Sequence, residues 1–241
     1  LKRVAFLRMA ARLALTLLAT SLGSAVCVLG ADVGLVRAPA ASPGPALGSI
    51  AAGVYHACAV RSDGTLACWG LDTYGQSTPP AGTFTQVAAG SSHTCGVKTD
   101  GTLACWGWNN DGQSTPPAGT FTQVAGGEYH TCGVKMNGTL ACWGSNALYG
   151  QSTPPAGTFT QVAGGFVHTC GLKTDGTLAC WGDNFYGQST PPAGKFSRRL
   201  VTAGDGHTCE LQTDGTLACW GSNVYGQSAP AAGTFTQVAG G

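Results

Sequence analysis

Residues 93–107 read HTCGVKTDGTLACWG, and this string recurs five times with few changes. The copies begin at His56, His93, His130, His168 and His207, in steps of 37, 37, 38 and 39 residues. A period in this range is the signature of a solenoid or a propeller built from one supersecondary unit. Within the string, Thr99-Asp100-Gly101 is the turn. A two-residue Asp-Gly loop would set Cys95 opposite Trp106. A three-residue loop with Gly101 in the left-handed region instead sets Lys98 opposite Thr102, Val97 opposite Leu103 and Cys95 opposite Cys105.

The cysteines support that register. Ten of the eleven lie ten positions apart in pairs: Cys58/Cys68, Cys95/Cys105, Cys132/Cys142, Cys170/Cys180 and Cys209/Cys219. Facing each other on adjacent strands, they are placed for five cross-strand disulfides. Each closes a loop of about ten residues, for about 2–3 kcal/mol before strain. A metal site from His93, Cys95 and Cys105 fits no familiar zinc spacing, so neither metal nor cofactor is expected.

Upstream of the hairpin, FTQVAAG (residues 84–90) alternates, with Phe84, Gln86 and Ala88 on one face and Thr85, Val87 and Ala89 on the other. Three short strands per copy, divided by Gly, Asp-Gly and Pro-Pro signals, predict an all-β propeller of antiparallel blades. Five blades are recognisable. TFTQV, residues 234–238, repeats the opening strand of a sixth copy, so the ring is expected to be either incomplete or closed by that strand.

Around the repeats, residues 1–31 read as a secretion signal: Lys2, Arg3, Arg8 and Arg12 precede an apolar run over 13–29, with small residues after it. The same run is long enough for an uncleaved membrane anchor. Cleavage would remove the odd cysteine, Cys27. Residues 32–46 form an Ala/Pro-rich linker, and 47–241 hold the repeats. From residue 32 onward eight Lys/Arg stand against eleven Asp/Glu, a net −3 with no basic stripe, so nucleic acid is not the expected partner. Charged residues are 10% of the chain against about 25% in a typical domain, and 38 glycines favour turns over helices.

The strings AAGSSHTCGVKTDGTLACWGWNNDGQ and AGGFVHTCGLKTDGTLACWGDNFYGQ, residues 88–113 and 163–188, resemble the repeat of the regulator-of-chromosome-condensation family. Its core runs Ala-Gly, two free positions, His, a strand, Asp-Gly, a strand, Trp-Gly, Asn and Gly-Gln. The resemblance implies a β-propeller. Its short period is more similar to secreted bacterial propellers, among them one that inhibits a β-lactamase, than to the nuclear nucleotide-exchange factor. Cysteines at two core positions of each hairpin depart from the family pattern and favour an oxidising compartment.

Comparison among the copies separates constant from free positions. The Gly, His and Trp hardly change. Two residues before each His vary, as do the residues after each Trp-Gly, and the strand directions bring both sets to one rim. That rim carries the candidate binding residues Tyr55, Trp108, Asn109, Glu128, Tyr129, Phe166 and Phe185, since large aromatics on a rigid edge serve as protein-binding hot spots. Tyr74, Tyr149, Tyr186 and Tyr225 recur before Gly-Gln and read as blade-packing residues, and the repeated Trp as a structural residue whose indole N–H finds a carbonyl at a blade junction.

Every candidate acid, base or nucleophile occurs in all copies with the same neighbours, so no catalytic centre is expected. The expected function is that of a protein-binding scaffold, secreted, periplasmic or at the cell surface, touching a membrane only through an uncleaved leader. A carbohydrate-binding propeller would need the same pocket in each blade. Nucleotide exchange on a GTPase sits poorly with export and disulfides.

Overall fold

The Thr99-Asp100-Gly101 turn forms as a three-residue loop: Gly101 has φ +82°, its amide donates to Lys98 O at 2.9 Å, and Lys98 N donates to Thr102 O at 2.8 Å. Asp100 Oδ1 accepts from both Thr102 N (2.9 Å) and Thr102 Oγ1 (2.7 Å), which explains the fixed Asp or Asn before each turn glycine. Val97 pairs Leu103 and Cys95 pairs Cys105, the predicted register. Counting outward from the bonded Lys98–Thr102 pair makes Cys95–Cys105 a non-hydrogen-bonded pair, where strands approach closest. The Cα atoms are 4.0 Å apart and the disulfide is formed. Cys58–Cys68, Cys132–Cys142, Cys170–Cys180 and Cys209–Cys219 are bonded in the same register, so all five expected bridges are present.

The structure, a computed structural model, describes residues 49–147, 149–196 and 201–238, all within one compact unit that spans Ala46–Gly241. The expected leader (1–31) and linker (32–46) lie outside the described residues, as does most of the Lys-Phe-Ser-Arg-Arg-Leu insertion at 195–200.

Five three-stranded antiparallel sheets follow one another, each a blade. They are β1 (Ile50–Ala52), β2 (His56–Val60), β3 (Leu66–Gly70); β4 (Phe84–Ala89), β5 (His93–Lys98), β6 (Leu103–Gly107); β7 (Phe121–Gly126), β8 (His130–Lys135), β9 (Leu140–Gly144); β10 (Phe159–Gly164), β11 (His168–Lys173), β12 (Leu178–Gly182); and β13 (Val201–Ala203), β14 (His207–Leu211), β15 (Leu217–Gly221). The innermost strands β1, β4, β7, β10 and β13 pack in succession and line one axial channel. Pro79-Pro80 and its counterparts fall in the strandless connections between blades.

Strict alternation in FTQVA does not hold. A bulge between Phe84 and Gln86 shifts the register, so that Phe84 and Val87 are both buried, and the same occurs in the third and fourth blades. The bulge frees the Gln86 amide to bridge the next blade. Its Nε2 donates to Val124 O (3.2 Å) and its Oε1 accepts from Val124 N (3.0 Å), as a backbone peptide would. Gln123 does the same to Val162. In the first blade Ser49 Oγ takes that place, with 3.1 Å bonds to both Val87 N and Val87 O.

The core lies between blades. Cys58, Val60 and Leu66 of the first blade pack on Phe84 and Val87 of the second, with Trp106 edge-on to Phe84 at 6.4 Å. Both faces of β5 are therefore buried, and the hydrophobic period there is invisible in burial.

The expectation of two core cysteines per hairpin is corrected by the structure. Cys58, Cys95, Cys132, Cys170 and Cys209, on the middle strands, are buried. Their partners Cys68, Cys105, Cys142, Cys180 and Cys219 are only half-buried. The reason is the sheet order: the middle strand is flanked on both sides, whereas β3, β6, β9, β12 and β15 pair on one side only and form the outer edge of each blade. Cys68, Cys105, Cys142 and Cys180 still pack against the margin of the core, so each bridge ties an outer strand to the interior.

At the start of the sixth copy, Phe235 N still bonds to Gly215 O, as Phe84 N does to Gly64 O. Residues 234–238 form no ladder.

Candidate functional site

The rim is held by a ladder of hydrogen bonds that repeats at each junction. Thr94 Oγ1 and the Trp106 indole N–H both donate to Gln76 O, at 3.0 and 2.9 Å. The single Thr hydroxyl hydrogen is then spent, so His56 Nε2–H must be the donor to Thr94 Oγ1 (2.8 Å), which fixes the tautomer. His93–Thr131–Gln113–Trp143 and His130–Thr169–Gln151–Trp181 repeat the set, and Trp220 N–H reaches Gln188 O at 2.8 Å. The expected structural role of the Trp is thus fulfilled on a main-chain carbonyl of the preceding blade. Trp69, which has no preceding blade among the described residues, is half exposed.

The Gly before each His is needed for close approach. A methyl group on Gly127 would overlap His130 Cε1 and stand 2.7 Å from Gly165 O of the next blade. Sealed in this way, the imidazoles are driven neutral: burial holds His93 and His168 at about 4 and His130 at about 3. Their Nδ1 atoms have no hydrogen-bond partner.

Above this ladder both variable sets meet, as expected. The Gly-x-x-His loops of all five blades surround the mouth of the axial channel, a depression of about 240 Å³ edged by Val54, Ser91, Glu128, Phe166 and Asp205. Beside it lies a cleft of about 190 Å³ lined by Tyr74, Trp108 and Tyr129 together with Ser91, Ser92 and Glu128. Tyr74 and Trp108 meet edge to face at 4.4 Å. Glu128 Oε2 is buried without a hydrogen-bond partner, and so is Trp108 Nε1. Burial raises the Glu128 carboxyl above its ordinary range, the neighbouring Tyr129 hydroxyl opposes this, and the Asp205 charge adds to it.

The structure brings Trp108, Glu128 and Tyr129 together and sets Phe166 at the channel mouth. Tyr55 is exposed, and Phe185, 81% exposed, touches only the Tyr186 ring among aromatic partners. Asn109 has a bracing role: its Oδ1 accepts from Ser114 N (2.8 Å) and its Nδ2 donates to Thr115 Oγ1 (3.0 Å). Asp72, Asn146 and Asn184 do likewise in their loops, and that recurrence was the available signal.

Tyr74, which its recurrence before Gly-Gln marks as a blade-packing residue, also lines the cleft. It does pack across the junction, against Trp108, yet it remains partly open to the cleft. Tyr186 similarly lies over Gly206, whereas Tyr225, with no following blade among the described residues, is 91% exposed.

Sequential blades around an axial channel, joined by a repeated His–Thr–Gln–Trp ladder, define a β-propeller. The repeat profile described as "Regulator of chromosome condensation (RCC1) repeat" matches residues 49–76, 84–113, 121–151, 159–188 and 199–227, and the chain belongs to this family.

Among solved structures, it is similar to the ectodomain of the Physcomitrella patens receptor kinase CR4 (26% identity, TM-score 0.63, covering 75% of this chain and 53% of that one). It is also similar to the CRINKLY WD40 ectodomain of the Arabidopsis thaliana receptor kinase ACR4 (29%, 0.59, 76% and 64%). Yeast RCC1 (Prp20), solved bound to Kap60, shares the fold (19%, 0.62, 73% and 56%). The chain spans less than two thirds of each of these structures. No curated protein sequence matches it significantly.

Proposed function

We propose that this protein is a secreted or surface-exposed scaffold, without catalytic activity, that binds another protein through the variable rim. The observation that carries the reading is the contrast between a constant junction ladder and the divergent, aromatic-rich loops directly above it. Five disulfides suit an oxidising compartment. The likeness to receptor-kinase ectodomains supports an extracellular setting, and a Kap60-bound relative supports the use of the fold in protein recognition. The short-period resemblance to secreted inhibitory propellers points the same way.

Immobilised full-length protein tests this. Wild type is compared with a rim variant, Trp108→Ala/Tyr129→Ala/Phe166→Ala, and with an opposite-rim variant, Lys98→Ala/Lys135→Ala, for retention of extracellular proteins from the source. A protein held by wild type and the opposite-rim variant but lost by the rim variant is expected. Identical retention by all three removes the rim from the function.

A further inference from the structure

Charge is segregated between the two rims. Each blade places one carboxylate among the variable loops, Asp72, Asp111, Glu128, Asp183 and Asp205, and no Lys or Arg lies there among the described residues. The cations Arg61, Lys98, Lys135, Lys173 and Lys195 all stand beside the hairpin turns or their contacts on the opposite rim. On that side Asp63, Asp100, Asp175 and Asp214 offset them, while no Lys or Arg among the described residues offsets the acids of the variable rim. Such a surface attracts a basic partner and repels an acidic one.

The Tyr74–Trp108–Tyr129 cleft is where that preference becomes specific. Its aromatic lining, its volume of about 190 Å³ and the Glu128 carboxylate among its lining residues match one long side chain with an apolar stem and a positive tip. Ring faces attract a cation held against them, most strongly when water is excluded. Glu128 Oε2, buried and without a donor, is a group whose desolvation cost such a cation would offset. Tyr129, partly exposed, lines the cleft beside it.

We infer that this cleft seats the cationic side chain of a lysine or arginine presented by a basic patch on a protein partner, with the stem between the Tyr74, Trp108 and Tyr129 rings and the charge against Glu128. The inference rests on the reading of the variable rim as a protein-binding face. A free amine would fill the cleft but leave the other four rim carboxylates unmatched, whereas a basic protein surface answers them together.

The test follows the Trp108 indole N–H of the ¹⁵N-labelled full chain by NMR, identified as the indole signal missing from Trp108→Phe. The probes are the Nα-acetyl methylamides of lysine, arginine and norleucine, the last an uncharged stem. A saturable shift with lysine or arginine, with norleucine about tenfold weaker or more, is expected. Glu128→Gln should weaken the cationic probe about tenfold and leave norleucine unchanged. The Trp143 and Trp181 indoles, locked in the junctions, report the fold of each variant.

Equal response to all three probes, no saturable response, or indifference to Glu128→Gln would overturn the inference. The comparison among probes is made on wild type and needs no variant to fold. Because it needs no partner either, its failure alongside Trp108-dependent protein capture sinks the cation site alone. Probe binding without such capture sinks the scaffold reading instead.

Discussion

Acid should unfold this propeller through its buried imidazoles, over a pH range set by their burial. An unfolded histidine titrates near 6.5, whereas burial holds native His93 and His168 at about 4 and native His130 at about 3. As the pH falls below 6.5 the unfolded state takes up protons that the native state refuses, so stability is lost with acidification and levels off below the native values. At pH 5.5 the three rings together give a slope of about 3.6 kcal/mol per pH unit.

Glu210 opposes this. It is fully buried where the middle blades have Gly96, Gly133 and Gly171, its oxygens lack partners, and desolvation raises it to about 8. The native state keeps that proton while the unfolded carboxyl, near 4.5, gives it up. Glu210 therefore adds stability as pH falls from about 8 to 4.5 and takes back about 1.2 kcal/mol per unit at pH 5.5. The net slope is about 2.4 kcal/mol per unit, and His56 and His207, also lowered by burial, add to it.

Guanidinium unfolding under non-reducing conditions, followed by tryptophan fluorescence between pH 5.0 and 6.5, measures the slope directly. Glu210→Gly should steepen it to about 3.6 and His130→Asn should reduce it to about 1.2. The turn and loop carboxylates Asp63, Asp72, Asp100, Asp175 and Asp214 are lowered from 3.8 by their Thr and backbone hydrogen bonds, so they lose stability only in stronger acid. A flat profile across this window, or a Glu210→Gly variant with a shallower slope, would refute the neutral-ladder reasoning.

Three further outcomes are expected. Trp143→Phe removes one donor from Gln113 O while keeping most of the ring, and should cost about 1 kcal/mol in denaturant titration. Gly127→Ala should lower the thermal midpoint well beyond Gly112→Ala: the first methyl collides with His130, whereas the second meets open space and bears only the cost of φ +82°, about 1 kcal/mol. Replacing Cys132 and Cys142 together by Ser should cost about 2–3 kcal/mol, and intact mass after alkylation without reductant should show wild type ten hydrogens below its reduced form with none of the ten repeat cysteines modified.

The hairpin was legible in the sequence because two independent signals agreed on its register: Gly101 demanded a left-handed turn position, and the cysteine spacing admitted only one loop length. The unequal burial within each cysteine pair was not, since Cys170 and Cys180 look alike until the blade order puts one on a middle strand and the other at its outer edge. The shared rim followed from strand directions alone. The bulge at Thr85 carried no such mark, since Thr is an ordinary strand residue and Gln86 reveals its role only when Val124 of the next blade lies beside it. The same holds for the ladder. His56 finds Thr94 38 residues away, and that partnership is a property of blade spacing, which a single repeat does not contain. The cleft was half legible: Trp108 and Tyr129 stood out as irregular, but the repetition that identified Tyr74 as a packing residue also hid its second face.

At each of the four described junctions Gln76 and its counterparts accept Thr and Trp through the main-chain oxygen, an atom every amino acid supplies. Copies two to five therefore dock through one shared pattern, whereas the first copy, with Ala57 at the Thr position, offers no hydroxyl to a preceding blade. The side chains of the two residues before each His are under no such shared restraint, although the loops after Trp-Gly share the Asp72/Asn109 brace. Each blade is then a separately mutable panel on a common frame, and a lineage can explore new combinations of panels by recombination among its own repeats.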